Sequence, residues 1–343
     1  MPFDPIRGQT TAVETLTRAL KSGVVHHAYR FEGIEGVGKG MAAVAFAQAL
    51  LCTGGEPLGC GRCDPCRRAA QVNEDDPKVP LHPDVIYLGR GLYPSEIIGK
   101  KETKEISVEQ VRRLVLSRAA YSPHEGRAQI FIVWGADELS NSAANALLKT
   151  LEEPRPSTHF VLITSRPDKL LDTIRSRSLP VRFGPLGEDD LAAILRDHGV
   201  DPPRIPGAIE MAAGSASAAL EAGDEELSSR RSEFVSTVMK ALQAPDMGDA
   251  IRLAESVDRD RRALTDDLRA LAAALSRRVR SEVTTDPVEA EKNARRYELV
   301  LDAIDSVERN GSASLVVASL VGSLRHAAQR RPGDKPPIVV SRR

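Results

Sequence analysis

Apolar positions recur at two different periods in the two parts of the chain. Val13, Leu16 and Leu20 fall at helical spacing between Gln9 and Lys21, and HHAYRF then reads as a strand leading into Gly33. A glycine-rich turn and an alanine-rich helix from about Met41 to Leu51 follow, then a cysteine loop and a strand over Asp84–Leu88. Ser107 with Gln110 three positions later fits a capping box opening a helix through Val111, Leu114 and Val115. Ile130 to Trp134 and Phe160 to Ile163 are continuous apolar runs of strand length, separated by a helix from Ser140 to Glu153 that Pro154 stops. Strands alternating with helices predict an α/β domain with a parallel sheet wrapped by helices.

Beyond about Phe183 the strand pattern gives way to helices. Leu191, Ile194 and Leu195 mark one, and the alanine-rich stretch Ile209–Leu220 another. Leu264, Leu268, Leu271, Leu275 and Val279 keep a three-four spacing, Leu301, Ile304 and Val307 continue it, and Asn310-Gly311 reads as a stop. A last apolar helix covers Leu315–Leu324, and the proline-rich basic tail from Gln329 is expected to be disordered.

The 343 residues correspond to two or three domains at about 150 residues each. A formal charge of -1 excludes a protein that holds nucleic acid by bulk charge alone. No run of eighteen apolar residues is present, so no membrane partner is expected. The N-terminus lacks the basic and apolar stretches of a secretory signal, and a cytoplasmic protein is expected.

Gly33-Ile34-Glu35-Gly36-Val37-Gly38-Lys39-Gly40 matches G-x-x-x-x-G-K without the final Ser or Thr. The glycines let backbone N–H groups converge on a phosphate, and the lysine neutralises its charge. The missing hydroxyl is the usual Mg²⁺ ligand, so Gly40 leaves the magnesium site compromised and ATP or ADP binding doubtful. The second metal ligand belongs at the end of the Ile130 strand, where Trp134 and Gly135 stand instead. Asp137 would lie about 10 Å further on in an extended chain; a bend at Gly135 would shorten that gap. The preferred reading puts Asp137 and Glu138 in a solvated loop and leaves the chain without ATP hydrolysis of its own. Cys52, Cys60, Cys63 and Cys66 form C-x7-C-x2-C-x2-C, a set of four thiolates suited to a closed structural Zn²⁺ site.

HHAYRFEG, the phosphate loop, the cysteine insertion, the stretch from Ala143 through Leu147, Leu148, Lys149, Thr150, Leu151, Glu152, Glu153 to Pro154, and Thr173–Ser178 occur in one order. Together they resemble the bacterial clamp-loader subunits of DNA polymerase III, AAA+ relatives of the replication factor C small subunits. The likeness covers about residues 3–220; the remainder matches only in helical pattern. It implies an AAA+ domain over 1–182 with the zinc insertion at about 52–66, a helical lid over 183–225, an all-α collar over 226–328 and a disordered tail over 329–343. It further implies partners: gamma/tau and delta subunits in a hetero-oligomer, with the sliding clamp and primed DNA engaged through the assembled complex at the replisome.

Within that family Ser176-Arg177-Ser178 matches a serine-arginine-cysteine motif with its cysteine changed. The resemblance makes Arg177 an arginine finger for a neighbouring subunit's ATP, and Thr164 the counterpart of a γ-phosphate sensor. The lid stretch Gly214–Leu220 lacks the arginine of gamma-type lids. The combination fits a delta prime-type stator of the DNA polymerase III holoenzyme. Alternatives are a gamma-like subunit with its own ATPase through Asp137 and Glu138, a non-replicative AAA+ protein, and a zinc-organised DNA-binding module. For the last, Lys100, Lys101 and Lys104 are interrupted by Glu102 and Glu105 and read better as a solvated face.

Overall fold

The computed structural model describes residues 1–75, 77–98, 105–243, 252, 261–308 and 312–327. The lysines Lys100, Lys101 and Lys104, the stop at Asn310-Gly311 and the tail from Gln329 lie outside them. The chain divides into two compact units, Met1–Gly223 and Asp224–Arg343.

The first unit holds a five-stranded sheet of β1 (Ala28–Glu32), β2 (Val85–Leu88), β3 (Gln129–Val133), β4 (Thr158–Thr164) and β5 (Leu179–Arg182). The order is β2-β3-β4-β1-β5, and each neighbouring pair is parallel. Side chains alternate between the two faces of a strand, and both faces are buried here. Tyr29, Phe31, Ile130, Ile132, Val161 and Ile163 point to one core, which α1 (Thr10–Ser22) and α2 (Lys39–Leu51) complete with Leu16, Phe46 and a run of alanines. Ala28, Phe131, Val133, Phe160 and Leu162 face the other, covered by Val111, Leu114, Val115, Leu147, Leu151 and Ile174. This two-sided burial explains why the strand runs are continuously apolar rather than alternating.

Local chemistry sets the covering helices. Ser107 accepts from Gln110 N at 3.3 Å while Gln110 Oε1 accepts from Ser107 N at 2.8 Å, the expected capping box. The helix continues through one π-helical segment, Val111–Leu116. Ser140 caps the Asn141–Glu152 helix through the Ala143 amide at 3.2 Å.

β5 carries little sequence signal: only Val181 is buried, and Pro180 withholds a ladder donor, which an edge strand tolerates. The stretch Ile209–Leu220 is not one helix. It breaks into Ile205–Ala212 and Ala216–Gly223 at Ala213 and Gly214, both left-handed at φ 47° and φ 84°. The break keeps Leu191, Leu195, Ile205, Ala208, Ala212 and Ala219 in one small core.

The second unit is helical where described: Glu225–Gln243, Arg261–Glu282, Pro287–Glu308 and Ala313–Ala327. Leu264, Leu268, Leu271 and Leu275 form the expected stripe and pack with Val238, Val300, Val307, Val317 and Leu324. Leu301 and Leu315, expected on the buried face, are instead 42 % and 71 % exposed. Val300 and Ala303 take that face of their helix together with the expected Val307 and the partly buried Ile304, and Leu301 turns outward.

Candidate phosphate-loop and arginine site

The carboxyl ends of β1, β3 and β4 meet where open parallel sheets bind ligands. Gly33 follows β1 and donates to the Thr164 carbonyl at 3.3 Å, tying the loop to the end of β4. Val37 is buried in the core, and Gly38 begins α2 in a left-handed conformation. Gly36 is also left-handed (φ 75°), and a β-carbon there would come within 2.1 Å of Ser217 Oγ and 2.3 Å of Ser215 Oγ. The Ala216 amide donates to the Gly36 carbonyl at 3.0 Å, so the start of the Ala216–Gly223 helix rests directly on the loop. Lys39 is buried and donates through Nζ to the Gly33 and Ile34 carbonyls at 2.6 and 2.5 Å. Burial lowers its pKa, while Glu35 and Asp137 act in the opposite sense.

Gly40 is glycine for a spatial reason. A β-carbon there would lie 2.5 Å from Cη2 and 2.7 Å from Cζ3 of the Trp134 indole. Trp134 follows β3 and is steadied edge-on by Tyr87, with ring centroids 5.5 Å apart. Position 40 therefore offers no oxygen ligand, and a neighbouring ring fills the space where its side chain would begin. The motif's missing hydroxyl was legible in the sequence; the ring that replaces it was not.

Asp137 does not sit in a solvated loop. Gly135 turns the chain at φ 65° into a 3₁₀ turn, Ala136–Glu138, and the Asp137 side chain is 3 % exposed. Its Oδ1 accepts from Thr164 Oγ1 at 2.6 Å and its Oδ2 from Arg166 Nε at 2.7 Å. Glu138 is half-buried, which raises its carboxyl pKa, and lies 3.6 Å from Arg90. Thr164 is buried and also accepts from the Arg166 amide at 3.0 Å. The buried acid is thus balanced within the chain by a hydroxyl and a guanidinium.

Arg177 lies on the loop between the Asp172–Arg175 helix and β5. Its Nη2 pairs with Glu152 at 2.6 Å and its Nη1 donates to the Thr173 carbonyl at 3.0 Å, with a third of the side chain exposed. Glu152 closes the Asn141–Glu152 helix, so the two most distinctive sequence stretches meet through this ion pair.

The four cysteines converge, their Sγ atoms all within 4.8 Å of one another. Tetrahedral Zn–S bonds of about 2.3 Å place sulfurs about 3.8 Å apart, and Cys52 and Cys63 are 4.0 Å apart. Backbone amides of Gly54 and Cys60 donate to Cys52 Sγ at 3.3 Å. Burial raises the Cys63 thiol, but donors from Cys66 and Thr53 outweigh it and bring the pKa to about 6. The donor set and its spacing fit a structural Zn²⁺ ion. It would join the end of α2 to α3 (Asp64–Ala70), which already share a 2.8 Å bond from Gln48 Nε2 to the Cys66 carbonyl.

The parallel sheet, the phosphate loop at its carboxyl edge and the adjacent helical subdomain define a phosphate-loop protein of the AAA+ type. The model of the family described as DNA polymerase III, delta subunit, matches residues 8–187. The chain belongs to this family of bacterial DNA polymerase III clamp-loader subunits. It is 33 % identical to DNA polymerase III subunit tau of Salmonella typhimurium over 263 residues, 74 % of this chain and 38 % of that protein. It is 32 % identical to subunit delta' of Bacillus subtilis over 194 residues, 57 % of this chain and 53 % of that one. A gamma subunit-related protein from Thermotoga maritima aligns over 92 % of this chain and 99 % of its own, at a TM-score of 0.44 and 16 % identity. The chain spans well under two thirds of the tau relatives' length.

Proposed function

We propose that this chain is a delta prime-type stator of the clamp loader, which supplies Arg177 to the ATP site of a neighbouring gamma/tau subunit and has little or no ATPase activity of its own. The observation that carries the reading is the Trp134 ring against Gly40, within 2.5 Å of any β-carbon at that position. A Ser or Thr at position 40 would have to displace the ring before its hydroxyl could stand where the motif places a magnesium ligand. Supporting observations are the lysine turned onto its own loop carbonyls and the Asp137 carboxylate held by Thr164 and Arg166. The amides of Gly36, Gly38 and Lys39 remain suited to a phosphate without metal, since unpaired N–H groups at a helix start attract anions.

On this reading residues 1–182 form the AAA+ domain, 183–225 the lid and 226–328 the collar that joins gamma/tau and delta. Zinc stiffens the insertion, and the chain meets the sliding clamp and primed DNA through the assembled ring, in the cytoplasm at the replisome. The Arg177 guanidinium would stabilise charge developing on the neighbour's γ-phosphate, a device worth orders of magnitude in rate.

ATP turnover tests this, measured for the chain alone and for the mixture with gamma/tau, delta, clamp and primed DNA. The expected result is no turnover alone, and DNA-stimulated turnover in the mixture that Arg177→Ala slows without dissociating the complex. Lys39→Ala should change little. Turnover by the chain alone would favour the gamma-like reading, for which the placement of Asp137 beside Thr164 at the strand ends is the supporting observation.

A further inference from the structure

An arginine in the middle of a central strand needs an explanation. β1 lies between β4 and β5, and its neighbouring side chains Ala28, Tyr29 and Phe31 are at most 1 % exposed. Arg30 itself is 7 % exposed and shares a sheet face with Ala28. A buried guanidinium is costly unless charge and hydrogen bonds compensate it. Glu32 supplies the charge, accepting from Arg30 Nε at 2.5 Å. The rest of the guanidinium does something more specific. Nη1 donates to the Arg175 carbonyl at 2.9 Å, to Ser178 Oγ at 2.8 Å and to the Ser178 carbonyl at 3.4 Å. These acceptors bracket the dipeptide Ser176-Arg177. Ser178 is itself buried, and its hydroxyl donates a hydrogen bond to the Ile174 carbonyl at 2.8 Å.

We infer that Arg30 is a positioning residue for Arg177. The Asp172–Arg175 helix is a single turn, and its last carbonyls keep only long three-residue backbone bonds, from Arg177 N to Ile174 at 3.2 Å and from Ser178 N to Arg175 at 3.5 Å. A charge-assisted donor from the sheet fixes them more strongly than a neutral one. The loop is thereby pinned to β1 on either side of Arg177, while the Arg177 side chain pairs with Glu152. The same contacts explain Ser178: a hydroxyl at this buried position both accepts from Arg30 and donates to Ile174. The inference rests on the reading of Arg177 as a finger acting on a neighbouring subunit. An error of about 1 Å in such a group costs about 100-fold in rate.

The experiment uses the assembled clamp loader with clamp and primed DNA. Turnover number and KM for ATP are measured for wild type, Arg177→Ala, Arg30→Leu, Ser178→Ala and the double variant Arg30→Leu/Arg177→Ala. Arg30→Leu is expected to lower kcat about tenfold or more, with KM for ATP and complex assembly held. The double variant should be no slower than Arg177→Ala alone, because both changes remove one function. Ser178→Ala, which spares the Arg30–Glu32 pair, should give a smaller loss in kcat and serves as the deciding variant if Arg30→Leu does not fold. Hydrogen exchange over residues 172–182 of the chain alone should quicken in both positioning variants. If Arg177→Ala slows the complex but neither positioning variant does, the inference is overturned and the finger stands. If Arg177→Ala leaves turnover unchanged, the finger reading falls and the inference with it.

Discussion

Gly40 and Trp134 behave as one unit at the scale of single residues. The loop matches its motif until the position where a hydroxyl is due, and there the indole of Trp134, the residue after β3, takes the space. Restoring the motif by Gly40→Thr should therefore overpack the site and destabilise the chain by about 1–3 kcal/mol. Urea denaturation checks this, with Trp134→Ala in the same chain expected to recover part of the loss. Equal stability of Gly40→Thr and wild type would mean that the ring yields freely and that position 40 could accept a metal ligand after all. Asp137 teaches a related lesson. Its distance from β3 depended on one glycine, and the left-handed turn at Gly135 brings it back to Thr164 instead of into solvent.

The cysteine insertion is the clearest case at the scale of elements, because its chemistry is local. Four thiols within fifteen residues close on one point, between the end of α2 and the start of α3. The purified chain is expected to carry one zinc ion, and removing it with a strong chelator should lower the melting temperature by about 5 °C or more. Cys63→Ser should reduce the zinc content below one per chain; a full zinc complement in that variant would refute the four-thiolate site. Other elements were less legible. β5 went unread because a single inward residue, Val181, gives no period, and its strand character comes from pairing with β1. The Glu225–Gln243 helix carries its apolar marks only in its second half, where Phe234, Val238 and Ala241 enter the core and Val235, Met239 and Leu242 pack against it. The broken helix at Ala213-Gly214 had a visible glycine. What keeps that position a glycine was out of sight: a β-carbon at Gly214 would meet Pro185 Cβ at 2.4 Å.

The buried His82 and His159 and the partly buried His27 make stability dependent on pH at the scale of the whole molecule. Burial lowers the pKa of His27, His82 and His159 from the ordinary value. A group with a lowered folded pKa stabilises the chain fully above its unfolded pKa, and that contribution is lost as pH falls toward the folded one. The melting temperature should therefore drop as pH falls from about 7.5 to about 5.5, because the unfolded histidines begin to bind protons near 6.5. Glu138 and Asp267, raised by burial, act in the opposite sense and gain stability as pH falls. His159→Gln should flatten the acid slope; an unaltered slope would show that this residue does not carry the effect.

The chain's own sequence determined what depends on neighbours in the chain. The alternating strands and helices, the capping serines, the phosphate loop and the cysteine spacing are all set within a few residues, and local covalent geometry is enough to read them. Tertiary structure alone decided which distant groups share a space. Trp134 closes on Gly40, Asp137 turns back to Thr164 and Arg166, Arg177 rests on Glu152, and Arg30 reaches a loop 148 positions away at Ser178. The order of the strands made those meetings. β1 carries both the phosphate loop at its end and Arg30 at its middle, and its insertion between β4 and β5 brings each within reach of its partner. A hydrogen bond or a steric exclusion acts only over a few ångströms, so nothing in the order of residues could reveal it until the sheet had been assembled.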